Sequence, residues 1–280
     1  MVYFYSIEKL LNEDNNGLEN IGFQSEEANT DEFQKRFFQE YLLQHNNIKE
    51  TNIEKLSIKV DIMEYQIDIS ELKSFSIVDV LMPKQLTQDQ KKKITETKRS
   101  VYTNPDLYLE ISDGTNIYYE SLELKSTKDN NIPGSSVQQV SPYEWVIFVK
   151  REDAKVTVTT GYYINSITEK LPFPDRSPRP QVGFKTLLEW NKKFRIETGN
   201  ILLVESNIES TQDKIRLLED WQDFLASEWM EIILAEKIKP NEKWFNSALR
   251  KFAIKFLDYT QTLDKDERQG LIDKLNDLVK

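Results

Sequence analysis

The chain alternates between stretches in which every second residue is apolar and stretches in which apolar residues recur every three or four positions. A period of two is typical of strands, whereas the longer period is typical of amphipathic helices. The first kind, together with continuous apolar runs, occupies residues 55–82, 105–127, 144–150 and 156–164. Helical spacing occupies residues 30–46, 186–194 and most of the chain from 208 onward. In the first of these helices Thr30 or Asp31 can serve as the N-terminal cap, and the apolar stripe consists of Phe33, Phe37, Phe38, Tyr41 and Leu42. The pattern predicts an α/β fold.

The distribution of these elements also suggests how the chain is divided. The last predicted strand ends at Ile164, and from about residue 208 the chain holds two helical stripes interrupted at Pro240 and Asn241. We therefore expect a core over residues 1–205 and a helical C-terminal region over residues 206–280. That region either forms a domain of its own or completes the first.

The amino-acid composition excludes several kinds of functional site. The 280 residues include no cysteine and one histidine, His45, so disulfides and cysteine-ligated zinc are excluded, and a serine-histidine triad would need His45. The formal net charge is −10, which does not favour nucleic acid but allows a local basic cleft. No run of about 18 apolar residues and no signal-peptide pattern is present, so we expect a cytoplasmic protein.

One alternating stretch carries an unusual set of charges. In PDLYLEISDGTNIYYESLELK, residues 105–125, the pair Asp113-Gly114 predicts a two-residue turn between two strands. With that turn Asp106 faces Ser121 and lies diagonally from Glu123, about 7–8 Å away between Cα atoms. Lys125 follows Glu123 on the same face, because side chains alternate along a strand.

Two carboxylates and an amine at this spacing suit phosphodiester hydrolysis. The carboxylates can share one hard divalent cation, and magnesium needs only a few protein oxygens besides water and phosphate. A lysine beside them can hold a water and offset phosphate charge. The alternative is a surface ion pair. Two other Glu-x-Lys triplets occur, Glu71 to Lys73 and Glu96 to Lys98. The first has Asp61 far along what reads as one strand, and the second lies in a polar segment.

The residues at this hairpin resemble a known signature. Pro105-Asp106, followed after 16 residues by Glu123-Leu124-Lys125, resembles the motif of the PD-(D/E)xK nuclease superfamily. The resemblance covers residues 30–165 and includes the order of elements: a helix, the hairpin, a polar loop with a short helix within residues 129–142, and an apolar strand. Residues 123–150 resemble type II restriction endonucleases more specifically. The resemblance implies a restriction-endonuclease-like core, with a mixed central β-sheet flanked by helices. It also implies that Asp106, Glu123 and the Leu124 carbonyl bind Mg²⁺, and that Lys125 contacts water and phosphate. Glu40, in the preceding helix, is a candidate additional acid.

The same resemblance implies a DNA partner. We expect a homodimer that cuts double-stranded DNA at a defined sequence, with a companion DNA methyltransferase in the same host. Residues that could contact DNA are polar or basic and lie in predicted loops and helices: Lys91, Lys92, Lys93, Lys98, Arg99, Lys128, Gln138, Gln139, Arg176, Arg179, Lys192, Lys193 and Arg195. The alternatives are a structure-directed repair or recombination nuclease and a non-enzymatic helical interaction protein.

Overall fold

The computed structural model describes residues 1–280 except 14–17, 20–26, 48–50, 98–104, 138–140, 153–154, 169–178, 207, 239 and 280. The chain forms two compact units, Met1–Glu219 and Asp220–Lys280. The expected boundary between residues 205 and 206 falls before the last helix of the first unit, whereas the observed division follows that helix.

The first unit is an α/β unit. Its helices are α1 (Val2–Glu13), α2 (Glu27–Gln44), α3 (Gln88–Thr97), the short α4 (Tyr163–Ser166), α5 (Phe184–Phe194) and α6 (Ile208–Glu219). Its strands are β1 (Lys55–Val60), β2 (Met63–Asp68), β3 (Ser76–Leu81), β4 (Leu107–Ser112), β5 (Ile117–Thr127), β6 (Asn131–Pro133), β7 (Trp145–Glu152), β8 (Lys155–Tyr162), β9 (Gln181–Gly183), β10 (Arg195–Thr198) and β11 (Ile201–Ser206). Short 3₁₀ helices span Ile69–Leu72 and Pro83–Gln85.

A five-stranded mixed sheet is the centre of this unit. Its strand order is β3-β4-β5-β7-β8. Strands β3, β4 and β5 run antiparallel to one another, β7 is parallel to β5, and β8 is antiparallel to β7. The connection from β5 to β7 therefore has to cross from one end of the sheet to the other. The predicted mixed sheet flanked by helices is confirmed at this level.

Helices cover both faces of the sheet. On one face, Leu122 and Leu124 of β5 and Ile147 of β7 join a buried cluster with Phe4 of α1 and Phe38 of α2. On the other face, Phe148 of β7 meets Phe184, the first residue of α5, edge to face at a centroid distance of 5.7 Å. Because both faces are covered, residues 145–149 of β7 form a continuous apolar run, as the sequence predicts.

Helix α2 differs in detail from its prediction. It begins at Glu27, so Thr30 and Asp31 lie inside the helix and neither is its cap. The predicted apolar stripe included Phe33, yet Phe33 is 51% exposed, while Phe38 and Leu42 are fully buried. Phe33 is therefore not part of the buried face of α2, although the sequence pattern placed it there.

A four-stranded sheet with the order β10-β11-β1-β2 forms the rest of the described β structure, together with the small pair β6-β9. Strand β1 pairs in parallel with β11, from Lys55 opposite Ile201 to Val60 opposite Ser206. It also pairs with β2 through a hairpin that turns at Asp61, whose φ is +51°. The reading of Asp61 as a position far along one strand is therefore wrong, because that strand reverses there.

The second unit is helical. It contains α7 (Trp221–Leu234), α8 (Trp244–Gln261) and α9 (Lys265–Leu278). The chain breaks between α7 and α8, where Asn241 has a φ of +64°, as Pro240 and Asn241 predict. Arg250 joins α8 to the residues around it by donating to the Glu242 carboxylate and to the Ile232 carbonyl. In the part of the chain that the structure describes, no helix is both long and apolar enough to cross a membrane.

Candidate functional site

The hairpin of β4 and β5 carries the candidate site, but it closes differently from its prediction. Leu107 pairs with Leu122, Tyr108 with Ser121 and Ser112 with Ile117, so residues 113–116 form a four-residue loop instead of a two-residue turn. The Asp113 carboxylate accepts the backbone N–H groups of Thr115 and Asn116 at 2.8 and 2.7 Å, which holds the wider loop. Those hydrogen bonds keep the pKa of Asp113 below its usual range.

The wider loop shifts the register by two residues and leaves the faces unchanged. Tyr108 opposes Ser121 instead of Tyr119. Continuing that register by one residue places Asp106 directly opposite Glu123, so the predicted diagonal arrangement is wrong. The backbone N–H of Leu124 donates to Asp106 Oδ2 at 2.8 Å. This bond ties the Asp106 carboxylate to the strand that carries Glu123.

Glu123 and Lys125 form a buried ion pair on β5. Lys125 Nζ lies 2.5 Å from Glu123 Oε1, and the side chains are 14% and 7% exposed. The Ser135 hydroxyl donates to the same Glu123 oxygen and accepts from Lys125 Nζ at 3.1 Å. Lys125 therefore points towards Glu123 and away from bulk solvent. Charges this deeply buried need such partners.

The electrostatics of Glu123 are set by opposing effects. Burial raises the pKa of its carboxyl above the ordinary value of 4.5, and the negative charge of Asp106 raises it further. Lys125 and the Ser135 hydroxyl act in the opposite direction. Burial has the largest effect, so the pKa remains raised even with an ammonium group in contact. The influence of Asp106 also means that the two carboxylates interact, and a shared cation would relieve their repulsion.

Asp106 has a cationic partner that sequence reasoning did not identify. Lys35 Nζ of α2 lies 2.7 Å from Asp106 Oδ1, and the side chains are 21% and 16% exposed. Glu40 was the acid expected from this helix, but it is exposed. Among the described contacts, it is Lys35 that α2 brings to Asp106. The spacing of α2 offered no signal for this, because a lysine beside an apolar stripe is common on helices.

The loop after β5 covers the ion pair and is itself anchored. The Ser135 N–H donates to Tyr163 Oη at 2.8 Å, and Tyr163 is fully buried. The neighbouring Gly134 N–H donates to the Pro180 carbonyl at 2.7 Å. A Cβ on Gly134 would lie 2.2 Å from Tyr163 Oη, so only glycine allows the loop to approach this closely. A short helix was predicted within residues 129–142, but its described part contains β6 and no helix.

The donor set around Asp106 and Glu123 fits magnesium. Both side chains offer carboxylate oxygens, the hard ligands that Mg²⁺ prefers, and two such groups leave positions for water and phosphate. Leu124, the third expected ligand, follows Glu123 directly in the chain and donates its N–H to Asp106. In the described residues no group of three or more Asp, Glu or His side chains could hold a metal. A cation here would therefore depend on two carboxylates.

The expected DNA-contacting residues are placed only in part. Lys128, which follows β5, and Arg179 are exposed, while Lys98, Arg99, Gln138, Gln139 and Arg176 lie outside the described residues. Lys192 and Lys193 are exposed near the end of α5. The expectation for Arg195 is wrong, because Arg195 is buried and its guanidinium donates to both Glu8 oxygens at 2.7 Å. It fastens α1 to β10 instead of facing solvent.

The other two Glu-x-Lys triplets lie on exposed elements. Glu71 belongs to the 3₁₀ helix Ile69–Leu72, Lys73 follows it, and both are exposed. Glu96 is exposed on α3, where it lies 4.0 Å from Lys92, and Lys98 is outside the described residues. The triplet at residues 123–125 differs from both because its charged groups are buried together with Ser135.

Comparisons with known proteins add no relative. No family model matches the chain, and no match was found among curated proteins or solved structures. The functional argument therefore depends on the residues and their geometry.

Proposed function

We propose that this protein is a magnesium-dependent endonuclease that hydrolyses phosphodiester bonds of double-stranded DNA at a defined sequence, like type II restriction endonucleases. The observation that carries the proposal is the buried cluster of Asp106, Glu123 and Lys125 on one hairpin. A buried ion pair is costly to form, and replacing it with apolar residues often leaves a protein equally stable or more so. Its presence beside a second carboxylate is therefore better explained by chemistry than by stability.

Each side chain has a defined part in this proposal. Asp106 and Glu123 would hold Mg²⁺, with the Leu124 carbonyl as the further ligand implied by the resemblance. Magnesium bound there would polarise the phosphate and acidify a water. Lys125 would orient that water and offset charge on the phosphate. The Ser135 hydroxyl would keep both Glu123 and Lys125 in position, because it contacts each of them.

The order of elements supports the same proposal. Helix α2 precedes three antiparallel strands, the second and third of which carry the site, and β7 then runs parallel to β5. The resemblance to PD-(D/E)xK nucleases was based on part of this order, namely a helix, then the hairpin, then an apolar strand. It also included a short helix between β5 and β7, and the described residues there contain none. A restriction-endonuclease-like core is thus part of the proposal.

The proposed partner is duplex DNA bound by a homodimer, with a companion DNA methyltransferase to protect host DNA. Two copies related by a two-fold axis match a palindromic site and can cut both strands. Exposed Lys128 and Arg179 are the described candidates for phosphate or base contacts. Arg176, Gln138 and Gln139 stay predictions.

The test is digestion of phage DNA with Mg²⁺, read on a gel. We expect discrete bands, and no cleavage when the metal is removed with a chelator. Asp106→Asn, Glu123→Gln and Lys125→Ala should each lower the rate by about a hundredfold or more. Glu71→Gln and Lys73→Ala are matched controls, because they alter an exposed triplet of the same type and should cut normally.

Other outcomes distinguish the alternatives. Cleavage confined to ends, flaps or mismatches would favour the repair or recombination nuclease. Absence of cleavage by the folded wild-type protein on all these substrates would overturn the nuclease proposal. The non-enzymatic interaction protein would then be favoured, since the helical unit exposes Trp244 and Phe252.

A further inference from the structure

Lys35 holds the oxygen that a metal ion would need. Of the two Asp106 oxygens, Oδ2 accepts the Leu124 N–H and Oδ1 lies 2.7 Å from Lys35 Nζ. The backbone bond fixes the orientation of the carboxylate, because Leu124 belongs to β5. The oxygen that can be released without disturbing the strand is therefore Oδ1.

An ammonium group and a divalent cation cannot both occupy that position. Two cations within a few ångströms of each other repel strongly in a partly buried site. Lys35 must therefore move away from Oδ1 when a metal binds to it. Lysine suits such a movement, because its charge sits at the end of a flexible four-carbon chain. A phosphate group of bound DNA would offer the displaced ammonium a new anionic partner.

We propose that Lys35 is a phosphate-binding residue of the site, held by Asp106 until a divalent cation displaces it onto the DNA backbone. This inference rests on the proposed function, since it takes Asp106 as a metal ligand and DNA as the substrate. Lys35 comes from a different element than Lys125, and it would contact a phosphate from the side of α2.

Exchange of this kind couples the binding of metal to the binding of DNA. A phosphate that attracts Lys35 frees Asp106 Oδ1 for the metal, and a metal that takes Oδ1 frees Lys35 for the phosphate. Each ligand then strengthens the other by the same factor, as thermodynamic linkage requires. A lysine that served only to fasten α2 to the hairpin would produce no such coupling.

The experiment measures metal binding directly, without DNA and without catalysis. Mn²⁺ is titrated into the full-length wild type and into Lys35→Met, and its affinity is followed by calorimetry or by the electron paramagnetic resonance of free Mn²⁺. We expect Lys35→Met to bind Mn²⁺ about three- to tenfold more tightly, because the competing ammonium group is gone. Lys35→Arg keeps the charge and should not tighten binding, and neither should Arg36→Met, which removes a cation paired with Glu32.

A second measurement follows DNA. Binding of a short random-sequence duplex in Ca²⁺ should weaken in Lys35→Met, and the slope of log K against log salt should become shallower by about one. In the wild type, the duplex should increase Mn²⁺ affinity, and Lys35→Met should lose most of that increase. If Lys35→Met proves unfolded by circular dichroism, Lys35→Gln replaces it in both measurements.

The outcomes separate this inference from the proposed function. If Asp106→Asn abolishes Mn²⁺ binding but Lys35→Met leaves it unchanged or weaker, Lys35 has a structural role and only this inference is overturned. If Asp106→Asn leaves Mn²⁺ binding unaltered, Asp106 is not a ligand, and both the inference and the metal site of the proposed function are overturned.

Discussion

At the scale of single residues, opposing effects act on the pKa of Glu123 in the candidate site. Burial and the nearby Asp106 charge favour its protonated form, while Lys125 favours the carboxylate. The folded protein therefore keeps the Glu123 proton to a higher pH than the unfolded chain does. The resulting contribution to stability is complete below pH 4.5 and is lost as pH rises through the raised pKa.

The opposing effects on the Glu123 pKa give a prediction for Asp106→Asn. Removing the Asp106 charge should lower the pKa of Glu123 towards 4.5 without restoring it, because burial is the larger cause. The measurement is NMR titration of the Glu123 side-chain carboxyl. Glu71→Gln, which removes an exposed acid elsewhere, should leave that pKa unchanged. An unchanged Glu123 pKa in Asp106→Asn would show that the carboxylates do not interact.

Ser135 gives a second prediction at this scale. Ser135→Ala removes a hydroxyl that contacts both Glu123 and Lys125, and it should lower the free energy of unfolding by about 1–2 kcal/mol. Ser136→Ala is the matched control. The buried Ser136 hydroxyl has no hydrogen-bond partner in the described structure, so its removal should be neutral or slightly stabilising. Chemical denaturation measures both, and equal losses would contradict the role assigned to Ser135.

The residues of the site differ in how far the sequence could predict them. Glu123 and Lys125 are two residues apart on one strand, so their shared face follows from the alternation of side chains. Lys35 reaches Asp106 from a helix about seventy residues earlier, and Ser135 comes from a loop without periodicity. Such contacts depend on how elements pack, and no local pattern encodes that.

At the scale of elements, the hairpin illustrates what a turn signal can and cannot specify. Asp113-Gly114 correctly predicts a reversal, and Gly114 has a φ of +94°. Whether two or four residues close the loop depends on the side chain of Asp113, which captures the Thr115 and Asn116 N–H groups. Because two- and four-residue loops differ by one register step of two residues, the predicted face was right and the predicted partners were wrong.

Gly134 provides the prediction for the loop that covers the site. A methyl group there would collide with Tyr163 Oη and with the Pro180 carbonyl, at 2.2 and 2.7 Å. Gly134→Ala should therefore displace Ser135, lower the free energy of unfolding by about 1–3 kcal/mol and slow cleavage. Denaturation and the gel assay together measure these effects.

The control for this change is Gly270→Ala in α9. A Cβ on Gly270 meets nothing within 4 Å, and alanine favours a helix, so this substitution should stabilise the helical unit by up to about 1 kcal/mol. Wild-type cleavage by Gly134→Ala at full stability would show that the close approach of the loop is not needed.

At the scale of the whole molecule, the pairing of strands that are distant in the chain could not be predicted from the sequence. Strands were predicted within residues 55–82 but none over residues 201–206, yet β1 and β11 lie side by side in one sheet. Their pairing buries Leu56 against Leu202 and Val204. No local pattern in either strand identifies the other as its partner. The α/β class could be predicted because it follows from the sum of local periods, whereas strand order and strand partners follow from contacts between distant segments.

The helical unit carries the last prediction, which concerns assembly. Several large apolar side chains of α8 are solvent-exposed, among them Trp244, Phe252 and Leu257 at 71%, 64% and 58%. Exposed apolar surface of this kind is typical of interfaces, and the proposed cutting of both strands needs two copies. We therefore expect the wild type to sediment as a dimer in analytical ultracentrifugation, and Phe252→Glu to sediment as a monomer.

Lys251→Glu is the control for this substitution, because it introduces the same side chain on the same helix. Neighbouring residues point in different directions on a helix, and Lys251 is already exposed and charged, so this variant should remain a dimer. The monomeric Phe252→Glu should still bind Mn²⁺, since Asp106 and Glu123 belong to the other unit. It should nick DNA more often than it cuts both strands. A wild type that is monomeric while cutting both strands at one site would contradict the need for a dimer.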